Sequence, residues 1–119
     1  MFEPVKRKLR IIKGAKFTPG WIWKPGGVPM DFTGCSARMQ VRAEKESPDV
    51  LLELTTANGG ILLGASEPGS IDLWVGATQT AIIDWESGVW DLEIQYPSGA
   101  DDVDRFMEGS ISVSGDVTR

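Results

Sequence analysis

Val89-Trp90-Asp91-Leu92-Glu93-Ile94-Gln95-Tyr96 decides the fold. Its apolar residues Trp90, Leu92, Ile94 and Tyr96 occupy every second position, with Asp91, Glu93 and Gln95 between them. A period of two places one set on a core and the other in water, so the stretch reads as a half-buried strand. Pro97 to Asp102 follows as a turn centred on Ser98-Gly99, and Val103 to Ser114 returns with Ile111 and Val113 inward and Ser110, Ser112 and Ser114 outward. Gly109 reads as a bulge, because the apolar positions change face near it. The C-terminal part is therefore expected to be one long hairpin.

Working outward, Ser36 to Ala43 alternates in the same way, with Ala37, Met39, Val41 and Ala43 opposite Ser36, Arg38, Gln40 and Arg42. Val50 to Leu54 and Ile61 to Leu63 read as two further strands. Asn58-Gly59-Gly60 between them is read as a hairpin turn, since these residues tolerate positive φ. Ser70 to Val75 is another strand, and Ala77 to Ile83 lacks alternation and suits a short helix or 3₁₀ turn. Leu9 to Ile12 and Phe17 to Lys24 complete the set, the latter broken by Pro19-Gly20 and ended by Pro25-Gly26-Gly27. The expectation is an all-β chain of about seven to nine short strands in an antiparallel β-sandwich.

The 119 residues, 41% of them apolar, suffice for one core, and the expectation is a single domain over 1–119. No run of 18 apolar residues is present and no secretory leader pattern follows the basic N-terminus. One cysteine, Cys35, excludes an internal disulfide and suggests synthesis in a reducing cytosol. The net charge of −5 is uneven: residues 1–16 carry six bases and one acid, the remainder six bases and sixteen acids. That pattern suggests a basic arm over about residues 1–8, or an edge strand whose lysines discourage aggregation. A domain this acidic is a poor general nucleic-acid binder.

Chemistry is sparse. The chain has no histidine, which removes the usual general base and the Ser-His and Cys-His nucleophile pairs. Cys35 reads as a small buried hydrophobe. Asp101, Asp102 and Asp104 invite a calcium reading, but lack the spacing of an EF-hand loop and suit a solvated turn. No catalytic residue, cofactor site or metal site is expected. Of the five tryptophans, Trp90 is expected in the core. Trp21 and Trp23, beside the Pro25 loop, are the favoured contact residues, together with Arg7, Lys8 and Arg10.

Three segments carry a resemblance. Pro29-Met30-Asp31-Phe32-Thr33-Gly34-Cys35 leads into the Ser36 strand; Leu54-Thr55-Thr56 precedes Asn58-Gly59-Gly60-Ile61; and Gly88-Val89-Trp90-Asp91-Leu92-Glu93-Ile94 precedes a closing Gly109-Ser110-Ile111-Ser112-Val113. Together they resemble the small β-sandwich domains of tailed-phage virions, notably the N-terminal particle-attaching domain of siphophage upper baseplate proteins. The resemblance implies an immunoglobulin-like or related sandwich. It also implies a non-enzymatic virion component, present in many copies or as a homo-oligomer, that contacts other tail, baseplate, fibre or capsid proteins. Such a protein is made in the bacterial host cytoplasm and ends in the virion, without membrane or nucleic-acid partners. With no fibre stalk after Arg119, the expectation is an adaptor, with capsid cement or decoration protein as one alternative. A carbohydrate-binding module aiding host adsorption is another, and a cell-wall hydrolase a remote third.

Overall fold

The computed structural model describes residues 3–115. Its larger sheet runs in the order β1–β9–β8–β4–β5, with β2 also on β9; its smaller sheet runs β3–β7–β6. The strands are β1 (Val5–Lys6), β2 (Leu9–Ile12), β3 (Gly20–Ile22), β4 (Ser36–Arg42), β5 (Leu52–Thr55), β6 (Ile61–Leu63), β7 (Ser70–Leu73), β8 (Ser87–Gln95) and β9 (Val103–Ser114). A 3₁₀ turn at Pro25–Gly27 and a helix, α1 (Ala77–Ala81), complete the elements. A central β4–β8–β9 trio with β5 at one side, facing β3–β7–β6, is the strand order of an immunoglobulin-like sandwich. The all-β sandwich with a long C-terminal hairpin is thus what the chain forms.

Alternation in β4 and β8 sends Met39, Val41, Trp90, Leu92 and Ile94 inward, all essentially inaccessible. Ile61, Ile71 and Leu73 meet them from the smaller sheet. The two layers are joined most closely by aromatic rings. Trp21 of β3 stacks on Trp90 of β8 with centroids 6.3 Å apart and planes 17° apart, and Trp23 lies 4.8 Å from Phe106. Trp90 Nε1 donates to the Ser110 carbonyl at 3.2 Å, so burying the indole strands no donor. The β3–β8 stack joins the strands that a disulfide bridges in antibody domains.

Three local expectations are corrected. Asn58-Gly59-Gly60 does not make a hairpin: β5 pairs with β4 in the larger sheet, while β6 pairs with β7 in the smaller. Only Gly59 takes positive φ, and the Asn58 amide turns back instead. It accepts from Thr55 N at 2.8 Å and donates to the Glu53 carbonyl at 3.1 Å, capping the β5 edge. The bulge lies at Phe106 rather than Gly109, because Leu92 pairs with Met107 and Glu93 with Arg105. The extra residue lets consecutive Phe106 and Met107 both point inward. Nor is the sandwich wholly antiparallel. β1 and β2 run parallel to β9, so the basic segment follows its edge-strand reading, with strand at Val5–Lys6 and Leu9–Ile12, while the first two residues of the arm read over about 1–8 lie outside the described ones.

Gly109 has a different reason for being glycine. A Cβ there would collide with the Arg7 backbone carbonyl, where the β1–β2 segment runs alongside β9. Gly109→Ala is expected to detach that segment and to destabilise the fold by roughly 2 kcal/mol or more, read as a lower urea midpoint. An unchanged midpoint would show that β1–β2 contributes nothing.

Candidate interaction surfaces

The residues favoured for contact divide. Arg7, Lys8 and Arg10 are exposed along the β1–β2 edge, where Arg7 Nη1 donates to the Lys6 carbonyl at 2.9 Å and Arg10 Nε to Ser114 Oγ at 2.7 Å. Trp21 and Trp23 are half-buried against the core, their rings spent on Trp90 and Phe106. The structure does not bring these five residues together as one surface.

Two other surfaces emerge. On the smaller sheet, Ile71 and Leu73 point inward, so Asp72 and Trp74 face solvent, as do Leu62 on β6 and Ile22 on β3. Trp74 and Leu62 each retain 47% of their accessible surface and Ile22 41%. This outer face of a sheet, expected to be polar, is mostly apolar, interrupted by Asp72, which accepts from Ser66 Oγ at 2.9 Å. Alternation around Ser70 to Val75 was the available signal for Trp74.

On the larger sheet, Lys6, Gln40, Arg42, Lys45, Val89, Asp91, Arg105 and Glu108 line a groove of about 510 Å³. Lys6 Nζ donates to Glu108 at 2.7 Å, and Arg105 reaches Asp91 and Glu108 at 3.5 Å each. Arg105 thus meets Asp91 across the hairpin, whereas Glu93 pairs with Arg38 at 3.4 Å. The hydrogen bond from Lys6 holds Glu108 below the usual carboxylate range, and partial burial pushes Asp91 above it against the pull of Arg105.

Cys35 is partly exposed, and burial pushes its thiol up, reinforced by the negative charges of Asp31 and Asp102. That is the opposite of what activates a nucleophile. In the same loop Asp31 accepts from Thr33 N at 2.9 Å and Gly34 takes φ of 78°, which together form a turn before β4. Asp101, Asp102 and Asp104 do not converge: Asp104 accepts from the Tyr96 hydroxyl at 2.9 Å, and Asp102 from the Ser98 hydroxyl. Among the described residues no three of His, Cys, Asp or Glu are placed to share a metal ion. No helix there is long and apolar enough to cross a membrane.

No family model matches the chain, and no curated protein does. Among solved structures it is similar to the extracellular domain of the voltage-gated sodium channel beta4 subunit, described as parallel homodimers with a role in cell-cell adhesion. The identity is 10% over 98% of either chain and the TM-score 0.47. A chain from a complex of ICOS with ICOS-L and an anti-ICOS-L VNAR domain matches at 11% identity over 95% of this chain and 56% of that one, with a TM-score of 0.47. The fold itself rests on strand order and register.

Tyr96, the one tyrosine, reports on this end of the sandwich. Burial raises its pKa well above the ordinary value, and the Asp104 partner raises it further. The unfolded chain therefore ionises first as pH rises, so the group opposes folding above about pH 10. Phenolate absorbance is expected to stay flat through that range. Asp104→Asn is expected to bring the titration partway down, and Tyr96→Phe to reduce the alkaline loss of stability. A phenol titrating normally in the folded protein would refute the half-buried Tyr96–Asp104 pair.

Proposed function

We propose that this protein is a non-enzymatic structural component of a tailed-phage particle, an adaptor in the tail, baseplate or fibre attachment that works through protein–protein contacts. It is made in the host cytoplasm and incorporated into the virion in several copies. The observation that carries the reading is the apolar outer face of the three-stranded sheet, where Ile22, Leu62 and Trp74 stand exposed together. Large rigid aromatics at the centre of such a patch contribute most to protein association, and a sheet face offers them without further ordering. The phage setting comes from the sequence resemblance in the Asp31 turn, the β8 strand and the closing hairpin.

A second reading has one observation in its favour. Trp74 stands two residues from Asp72 on the same face, and an exposed indole beside a carboxylate suits stacking on a sugar ring with hydrogen bonds to its hydroxyls. Quenching of Trp74 fluorescence by soluble glycans would favour that module over the adaptor.

The test is incorporation into particles, read by immunogold electron microscopy. Label is expected at one end of the particle, and Trp74→Ala with Leu62→Ser is expected to abolish incorporation while leaving the circular dichroism unchanged. Label over the whole capsid would favour a cement or decoration protein over the tail adaptor. Absence of label with the epitope accessible, or a double variant incorporated as well as wild type, would overturn the reading.

A further inference from the structure

The groove on the larger sheet carries a charge excess that its own residues do not use. Four cations line it, Lys6, Arg42, Lys45 and Arg105, against two acids, Asp91 and Glu108, a balance of 4 − 2 = +2 in a chain of net charge −5. Lys6 and Arg105 make the ion pairs with both carboxylates, and Lys45 adds a longer-range pull on Glu108. Arg42 is held by neutral acceptors, the Ser47 carbonyl at 2.7 Å and Gln40 Oε1 at 3.0 Å. Among the described residues neither Arg42 nor Lys45 has a carboxylate within 4.0 Å. Arg42, held in place, and the exposed Lys45 thus flank a concave surface partly floored by Val89, a setting for paired carboxylates on a compact segment.

The same hairpin carries the complement at its other end. Asp101 and Asp102 are exposed in the β8–β9 turn, with no cation within 4.0 Å among the described residues. The turn is already ordered: Tyr96 N donates to the Asp102 carbonyl at 2.9 Å and Asp102 N to the Gly99 carbonyl at 3.1 Å, so little entropy is lost on docking. A strand rises about 3.4 Å per residue, which puts Tyr96 roughly 24 Å from Val89 along β8. The turn therefore cannot fold back into its own groove.

We propose that the groove receives the Asp101–Asp102 turn of a second copy of this chain, so that copies associate head to tail. The contact uses different surfaces on the two copies and propagates to a ring or an open filament according to the rotation between them. It stands independently of the assignment to a phage particle and of the apolar face on the other sheet.

Sedimentation velocity of the full chain tests it. At low ionic strength the sedimentation coefficient is expected to rise with concentration, and to fall to the monomer value near 1 M salt, where the Debye length is about 3 Å. Arg42→Gln with Lys45→Gln, and separately Asp101→Asn with Asp102→Asn, are each expected to raise the dissociation constant roughly tenfold or more. Lys45→Gln alone, at an exposed position, is expected to weaken association without touching the Arg42 bonds. An equimolar mixture of the two double variants is expected to stop at a 1:1 dimer, because each supplies one intact half of the contact. Wild type that stays monomeric at low salt, association that survives in both variants, or a mixture that stays monomeric would each overturn the proposal.

Discussion

The stack of Trp21 on Trp90 is the contact on which the two-sheet arrangement depends. β3 contributes only three residues to the smaller sheet, and with a single cysteine no disulfide can hold it to β8. A nearly parallel pair at 6.3 Å, followed two residues later by Trp23 on Phe106, does so instead. Such ring pairs contribute about 0.5–1.5 kcal/mol each beyond the area they bury. The Phe106 bulge belongs to the same device, since without the extra residue Phe106 and Met107 would face opposite sides of β9. Once these indoles are committed inward, Trp74 is the tryptophan left most open to a partner.

Much of this was legible from residue patterns because period-two alternation reports burial directly. β4, β8 and the return strand β9 lie where alternation placed them, and Trp90 is core. What failed to show were relationships between distant segments. Asn58-Gly59-Gly60 has the composition of a hairpin, but Asn58 has a better use for its amide on the backbone of Glu53 and Thr55, so the chain passes to the other sheet. Gly109 resembled a local irregularity, yet its cause is the close approach of the Arg7 backbone, about a hundred residues earlier in the chain. Trp21 and Trp23, beside the Pro-Gly-Gly loop, are half-buried, but the rings they pack on, Trp90 and Phe106, are remote in sequence and could not be read from it.

Charge shows the same separation between chain order and surface. The basic N-terminal run looked like the site of attraction, yet Lys6 is neutralised by Glu108 and Arg10 is bonded to Ser114. Among the described residues the cations of the groove without a carboxylate at ion-pair distance are instead Arg42 and Lys45, which sit at the end of β4 and in the loop after it. The two sheets thus present unlike outer faces, one apolar around Trp74 and one charged around the groove. Unlike faces would let one small domain hold different neighbours on opposite sides, as the proposed adaptor role requires.

The division of the tryptophans into those that hold the sandwich shut and the one that faces outward is the central claim, and equilibrium urea unfolding of single variants tests it most directly. Trp21→Ala is expected to lower stability by about 2 kcal/mol or more, and Trp74→Ala by roughly 0.5 kcal/mol or less. A Trp21→Ala protein as stable as wild type, with Trp74→Ala strongly destabilised, would contradict the account by exchanging the roles of the two side chains.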